Sequence, residues 1–202
     1  MSGTRQKILD VSLDLFSQRG YSAVSIRDIC AQVSIKESSI YYHFKNKQAI
    51  FDELLCRFEE KAGALTAQLE EALKAGDLSL AENSFQTVCD HYFEEYLMDY
   101  FCNKVMRLLL IEQFSSEEAR KKYDYWLFEK PLRFQCSVFS VLANSGAIKG
   151  KDCEYIAVKF YAPIYLFAQR WLFSGKLSEE NRAAFRTAAD RHIREFFSEI
   201  GA

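Results

Sequence analysis

Hydrogen-bond donors with long reach cluster between residues 25 and 47, and their chemistry suits recognition of an anion. This donor cluster combines basic heads, hydroxyls, phenols and an imidazole: Ser25, Arg27, Lys36, Ser38, Ser39, Tyr41, Tyr42, His43 and Lys47. Such groups bind phosphate oxygens and the edges of nucleobases. Residues 1–50 carry a net charge of +3 and the remainder −5. The basic end of the chain therefore suits contact with an anion.

Aromatic side chains are the second notable group, with 17 Phe, 11 Tyr and 2 Trp. The middle of the chain holds rings, an imidazole and apolar side chains that could wall a cavity: His91, Tyr92, Tyr96, Met106, Leu109, Trp126, Phe134, Phe139 and Tyr165. Rings and a thioether suit an apolar or aromatic molecule, oriented by one or two polar groups. The same residues could instead form a solid core, and both interpretations stay open.

The sequence contains no pattern typical of an enzyme or a metal site. It lacks G-x-S-x-G, H-E-x-x-H and a phosphate-binding glycine loop. Its six cysteines are scattered without a C-x-x-C pair, which favours reduced thiols. Glu94, Glu95 and Asp99 with His91 resemble a solvated helical face more than a set of ligands. We therefore expect neither an enzyme nor a cofactor.

Three short helices followed by a long one must position the donor cluster. Residues 4–19 have helical apolar spacing, and Gly20 follows as a stop. The pair Ser25-x-x-Asp28 predicts a capping box at the start of a second helix. A third helix is predicted through residues 38–43, and a long amphipathic helix from Lys47 to Gly76. A tight turn between the second and third helices indicates a helix-turn-helix.

The remainder also predicts helices, because no alternating strand pattern is present. The expected helices run over Leu78–Tyr96, Asn103–Phe114, Ser115–Trp126 after a Ser115-x-x-Glu118 capping box, a segment up to Asn144 that Pro131 starts or kinks, Asp152–Ser174 and Ser178–Ile200. The expected fold class is all-α. No apolar run is long enough to span a bilayer, so we expect a cytoplasmic protein without a membrane partner.

The N-terminal pattern resembles the tetracycline-repressor (TetR) family over about the first 50 residues. The matching run is Thr4-Arg5-x-x-Ile8-Leu9, Leu15-Phe16, Gly20-Tyr21, Ser25-Ile26-x-x-Ile29 and Ile40-Tyr41-Tyr42-His43-Phe44-x-x-Lys47. The resemblance implies a three-helix DNA-binding domain over residues 1–47. Residues 48–202 would then form a helical bundle that binds an effector and dimerises.

The resemblance also implies a role for each member of the donor cluster. Lys36, Ser38 and Ser39 would lie nearest the bases in the major groove. Tyr42, His43 and Lys47 would hold phosphates, and Ser25 and Arg27 would approach the DNA backbone. Two positions depart from the usual pattern: Ser34 replaces a common Gly, and Lys36 a common Ser or Thr. Ser34 and Glu37 could form a capping box that starts the third helix earlier.

By this resemblance the protein is a repressor, released from a palindromic operator in double-stranded DNA by a small apolar or aromatic effector. The alternative keeps the fold but not the ligand, giving an adaptor or co-activator that acts through protein contacts. A cavity of several hundred cubic ångströms would separate the two, since ligand pockets have about 300–1,000 Å³.

A homodimer is expected because two recognition helices about 34–36 Å apart read successive major grooves. The two C-terminal helices have extensive apolar faces that could pair as a four-helix bundle. The predicted interface residues are Ile156, Phe160, Ile164, Phe167, Trp171, Ala184, Ala188 and Phe196. The alternative is that these faces pack against the protein's own middle helices. Pro163 is expected to bend the first of the two helices.

Overall fold

The computed structural model describes residues 3–75, 82–149 and 152–201, and these ranges are almost entirely helical. Within them lie ten helices: α1 Thr4–Arg19, α2 Ile26–Val33, α3 Glu37–Ile40, α4 Lys47–Ala75, α5 Glu82–Tyr92, α6 Tyr100–Glu112, α7 Glu117–Asp124, α8 Lys130–Asn144, α9 Cys153–Phe167 and α10 Glu179–Ile200. The β structure within these ranges is limited to one isolated bridge between Ile148 and Gly201. The all-α prediction is confirmed.

Helix α1 ends where the sequence predicts, because Gly20 adopts a backbone conformation that disfavours other residues. Its φ is +83° and its ψ 157°, and its N–H donates to Phe16 O at 2.9 Å. A Cβ atom here would lie 2.9 Å from Glu112 Oε1 and 3.1 Å from Ile111 Cγ2. Gly20 therefore combines a required backbone conformation with a close approach to α6.

One predicted helix start differs from the structure. Helix α7 is capped by Ser116, whose Oγ accepts from Ala119 N at 3.2 Å, so the predicted Ser115 capping box is wrong. Ser115 N instead donates to Glu112 O, which extends the turn after α6. The predicted helix end at Gly76 and start at Leu78 lie outside the described residues. Asp152 and Ser178, the predicted first residues of the two C-terminal helices, are their N-caps in the structure.

The chain packs as two compact units. Unit 1 comprises residues 1–61 and 104–123, and unit 2 residues 62–103 and 124–202. Residues 104–123 join unit 1 through polar contacts: Lys104 pairs with Asp14, and Glu112 Oε1 accepts from the backbone N–H of Tyr21 at 2.8 Å. The units thus differ from the predicted division after residue 47, because packing returns a distant segment to the N-terminal helices.

Three π-helical turns interrupt unit 2, at Phe93–Leu97, Tyr125–Glu129 and Ala168–Phe173. In the second turn Lys130 N donates to Tyr125 O, and Tyr96 Oη donates to Trp126 O at 2.8 Å. Leu127 O would ordinarily accept from residue 131, but proline has no N–H. Tyr161 Oη donates to Leu127 O instead, at 2.8 Å. Pro131 therefore lies at the start of α8, one of the two predicted outcomes.

Among the helices that the structure describes, none combines the length and the hydropathy that a bilayer crossing requires.

Candidate nucleic-acid interface and ligand cavity

The capping box at Ser25 fixes the start of α2, as the sequence predicts. Ser25 Oγ accepts from Asp28 N at 3.1 Å, and the Asp28 carboxylate accepts from Ser25 N at 2.8 Å. The Ser25 hydroxyl also donates to that carboxylate at 2.7 Å, which lowers the pKa of Asp28. Two backbone donors at the helix start are thereby satisfied.

The turn between α2 and α3 depends on a strained residue. Ser34 caps the C-terminus of α2 with φ 64° and ψ 46°, in the left-handed region where glycine is usual. Lys36 is the residue before α3, so the predicted capping box of Ser34 with Glu37 is wrong. A residue that closes one helix in the left-handed region cannot have the extended backbone of an N-cap.

Helix α3 is a single turn, shorter than the predicted helix through His43. It ends at Ile40, and residues 41–43 continue as turns, with His43 N donating to Ile40 O at 2.9 Å. Helix α4 begins soon afterwards, where Asn46 Oδ1 accepts from Ala49 N at 2.8 Å. Ile40 and Phe44 are buried and anchor the segment in the core of unit 1.

Aromatic and basic side chains are exposed beside these anchors. Tyr42 is 88% exposed and Tyr41 55%. Lys36 and Ser38 are exposed as well, and Ser39 and His43 are half-buried. The structure thus brings the predicted base-contacting and phosphate-contacting residues onto one short segment, held by two buried side chains.

Two basic members of the donor cluster bind groups of the protein itself. Lys47 Nζ donates to Tyr21 O at 2.8 Å and Val24 O at 2.7 Å, and it lies 4.1 Å from the centre of the Tyr21 ring. Its partial burial lowers its pKa. Arg27 Nε pairs with Glu37 Oε1 at 2.8 Å. Lys47 therefore holds the connector between α1 and α2, and its contact with phosphate remains a prediction.

A small apolar cavity lies within unit 2. Its volume is ≈ 50 Å³, far below that of a typical ligand pocket. It is lined by residues from α4, α5, α8, α9 and two π turns: Leu65, Thr66, Leu69, Phe85, Val88, Cys89, Tyr92, Phe93, Tyr96, Trp126, Lys130, Pro131, Phe134, Gln135, Val138, Phe160 and Ile164. Four predicted effector-binding residues are among them, namely Tyr92, Tyr96, Trp126 and Phe134.

The other predicted cavity residues lie elsewhere. Met106 and Leu109 are buried in unit 1, because α6 contributes its central residues to that core. His91 is exposed on α5. Phe139 is buried against Phe160 at 5.6 Å between ring centres, and Tyr165 packs on a neighbouring ring at 4.8 Å without lining the cavity.

The lining residues that the sequence interpretation missed come mainly from α4 and α8. Leu65 and Leu69 belong to the apolar stripe of the long helix, which identified a buried face but not its partner. Lys130 and Gln135 also line the cavity. Lys130 Nζ pairs with Glu70 Oε1 at 2.7 Å, whereas Gln135 Oε1 is buried without a hydrogen-bond partner.

The apolar faces of α9 and α10 pack largely inside their own chain. Ile156, Phe160, Ile164 and Phe196 are buried, so their assignment to a dimer interface is wrong. Phe160 and Phe196 pack against each other, with 5.1 Å between their ring centres. The other four predicted interface residues, Phe167, Trp171, Ala184 and Ala188, are half-buried.

The part of the chain that the structure describes contains no group of three or more His, Cys, Asp or Glu that could hold a metal ion. Burial raises the pKa of the Cys89 thiol, which favours its neutral form.

Comparisons with known proteins agree with this architecture. Residues 8–54 match the family model described as "Bacterial regulatory proteins, tetR family". The chain is 30% identical over 128 residues to the HTH-type transcriptional regulator AcrR of Shigella flexneri, covering 60% of each protein. It is 39% identical over 56 residues to the biofilm operon icaADBC HTH-type negative transcriptional regulator IcaR of Staphylococcus aureus, covering 27% of this chain and 30% of IcaR. It thus spans less than two thirds of either relative.

The similarity in fold extends beyond the N-terminal match to nearly the whole chain. The crystal structure of a TetR-family transcriptional regulator from Agrobacterium tumefaciens superposes with a TM-score of 0.67 at 19% identity, covering 98% of both chains. Residues 8–54 therefore match the TetR-family domain, and the chain as a whole shares the fold of a solved TetR-family regulator.

Proposed function

We propose that the protein is a DNA-binding transcriptional repressor that reads a palindromic operator with the segment around α3. The observation that carries this proposal is the exposure of Tyr41 and Tyr42 beside the exposed Lys36, on a segment anchored by Ile40. Exposed aromatic rings next to a basic side chain are typical of a surface that binds another molecule. Phosphate and base edges match these donors.

Each donor has a separate role in this proposal. Lys36, Ser38 and Ser39 contact bases, whereas Tyr42 and His43 contact phosphates. Ser25 and Arg27 approach the DNA backbone. When Arg27 does so, its guanidinium either leaves Glu37 for a phosphate or contacts both. Repression is supported by IcaR, which is named a negative regulator. A regulator of this kind acts where the chromosome lies, in the bacterial cytoplasm.

We infer that a second copy of this chain covers an exposed apolar stripe on α9. The stripe has helical spacing and comprises Tyr155, 65% exposed, Val158, 47%, and Leu166, 60%, together with the exposed Ala162. This exposed stripe, and not the buried face predicted from the sequence, forms the proposed dimer interface. A two-fold dimer then presents two reading segments to successive major grooves.

We also propose that an effector releases the repressor by enlarging the cavity of unit 2. Helix α4 is continuous from Lys47 to Ala75 and lines the cavity with Leu65 and Leu69. A ligand larger than the present cavity displaces that part of α4, and we propose that this displacement weakens DNA binding. An effector that weakens DNA binding must itself bind more weakly to the DNA-bound protein.

Binding to the DNA upstream of the protein's own gene tests the first proposal. Lys36→Ala is expected to weaken binding and to change sequence preference. Lys121→Ala removes an equal charge from an exposed position of α7 and serves as the matched control. Affinity should fall steeply with salt concentration, because bound phosphates release counterions. Salt-independent binding, or equal effects of the two variants, would contradict the proposal.

The small size of the cavity supports a second candidate, a regulator that responds to a protein partner and not to a ligand. At ≈ 50 Å³ the cavity does not reach the several hundred cubic ångströms that favour a ligand. A thermal-shift screen of apolar and aromatic compounds separates the candidates. Operator binding without any stabilising compound would favour the protein partner.

A further inference from the structure

Lys47, to which the resemblance to the TetR family assigns a phosphate contact, uses its ammonium inside the protein. Nζ donates to Tyr21 O at 2.8 Å and to Val24 O at 2.7 Å. These carbonyls belong to the first and last residues of a turn, residues 21–24, in which Val24 N donates to Tyr21 O at 3.4 Å. Two of the three N–H groups of the ammonium therefore fix this connector turn.

A buried carboxylate binds the same turn at the other end of the Tyr21 backbone. Glu112 is 7% exposed, and its Oε1 accepts from Tyr21 N at 2.8 Å. Tyr21 thus has its N–H bonded to an anion and its C=O bonded to a cation, and hydrogen bonds to charged groups are the stronger ones. Desolvation lowers the pKa of Lys47 and attraction to Glu112 opposes that shift, so the two charges interact across the turn.

The side chain of Tyr21 joins this arrangement to α1 and α4. Its ring centre lies 5.4 Å from that of Phe16 in α1 and 4.8 Å from that of Phe51 in α4. The Tyr21 hydroxyl donates to Gln48 Oε1 at 2.9 Å, and Lys47 Nζ lies 4.1 Å from the ring centre. The backbone and the ring of Tyr21 are therefore held together, all within unit 1.

Lys47 connects the two ends of the segment that reads DNA in the proposed function. It is the first residue of α4 and follows the segment around α3. Its acceptor Val24 immediately precedes Ser25, the N-cap of α2. Residues 25–46 thus lie between two positions that one side chain ties together. Release of this tie would let α2 and the segment around α3 move relative to α4.

We propose that Lys47 and Glu112 are positioning residues for DNA reading, which clamp the connector turn through the backbone of Tyr21. The proposal deepens, and rests on, the proposed DNA-binding function. Lys47 then contributes to DNA affinity through the geometry of the protein and not through a phosphate. Glu112 contributes in the same direction, although a negative charge by itself repels DNA.

The salt dependence of binding to the DNA upstream of the gene separates positioning from phosphate contact. Lys47→Met removes the ammonium and should weaken binding about tenfold, as loss of hydrogen bonds from a charged donor implies. The measurement is made at a temperature at which circular dichroism shows the variant folded. The slope of log affinity against log salt should stay unchanged, whereas two lost phosphate contacts in a dimer would reduce it by about 1.8.

A slope reduced in this way would assign Lys47 to a phosphate and overturn the proposal. Unchanged affinity would leave Lys47 a merely structural role and would overturn it as well. Lys121→Met is the control, because it removes the same charge from an exposed position of α7 and should change neither quantity.

Substitutions of Glu112 test the sign of its effect. Glu112→Leu removes the charge and the acceptor of Tyr21 N–H, so DNA binding should weaken about tenfold. Glu112→Gln removes the same charge but keeps an oxygen that can accept, and it should retain part of the affinity. Glu118→Gln removes an equal charge from an exposed position of α7 and should not weaken binding. Tighter DNA binding by both Glu112 variants would show that only charge matters, and would overturn the proposal.

A double-mutant cycle shows whether the two residues act as one clamp. Lys47→Met combined with Glu112→Leu should weaken DNA binding about as much as either change alone, because residues that share a partner are not additive. Multiplied losses of affinity would mean separate roles and refute the clamp. Melting temperatures of the same four proteins give a second cycle that needs no DNA. Coupled melting temperatures in a chain that ignores the DNA would contradict the proposed function and keep the clamp.

Discussion

Replacing Gly20 by alanine tests how the N-terminal helices are fixed to α6. The substitution introduces a methyl group at a residue with φ +83° and ψ 157°. The new Cβ would lie 2.9 Å from Glu112 Oε1, the atom that accepts the Tyr21 N–H at 2.8 Å. Alanine must therefore accept a disfavoured backbone conformation and also move a buried carboxylate from its donor.

The two effects give the expected magnitude. A conformation of this kind costs a non-glycine residue about 1–3 kcal/mol. A hydrogen bond to a charged group contributes about 1.5–3 kcal/mol. Gly20→Ala should thus lower the free energy of unfolding by roughly 2.5–6 kcal/mol, a large part of the 5–15 kcal/mol typical of a folded protein. Operator binding should weaken too, because Tyr21 O is one of the two carbonyls that hold Lys47.

Urea unfolding followed by far-UV circular dichroism measures this loss, and two other glycines separate its causes. Gly146 has φ +77° but no heavy atom within 4 Å of a Cβ, so Gly146→Ala reports only backbone strain, about 1–2 kcal/mol. Gly3 lacks both features but is the N-cap of α1, where alanine is less favourable than glycine, so Gly3→Ala should lower stability by at most about 1 kcal/mol. If Gly20→Ala costs no more than Gly146→Ala, the contact with Glu112 contributes nothing and the reasoning fails.

Three further predictions follow from single contacts. Ser34→Gly should stabilise the protein by up to about 1 kcal/mol in urea unfolding, because relief of left-handed strain exceeds the added chain entropy of glycine; a lower urea midpoint would contradict this. Hydrogen bonding to Arg5 lowers the pKa of Glu53 below its usual 4.5, so the stability from this pair is present above pH 4.5 and is lost as pH falls through the folded-state pKa. Glu53→Gln should therefore flatten the acid limb of a series of urea midpoints, and an unchanged limb would refute the assignment. Leu166→Lys should convert the dimer into a monomer by light scattering, whereas Gln18→Lys adds the same charge on α1 and should not.

The features that could be predicted from the sequence are those that depend on residues close together in the chain. The donor cluster, the all-α class, the end of α1 at Gly20 and the capping box at Ser25 depend on residues within one helical turn of each other. The motif around Ile40 and Tyr42 was sufficient to predict the resemblance to the TetR-family domain, because buried anchors and exposed donors lie within a few residues of each other.

Tertiary structure decided whatever depends on distant partners. Met106 and Leu109 have the character of cavity residues, yet packing assigns α6 to the core of unit 1. Helix α9 is apolar on several faces, so periodicity could not show that Phe160 is buried in its own chain while Leu166 is exposed. Likewise, Lys47 finds two carbonyl acceptors more than twenty residues away. The sequence specifies which side chains avoid water or need a partner, but only the packed helices determine which partner each one meets.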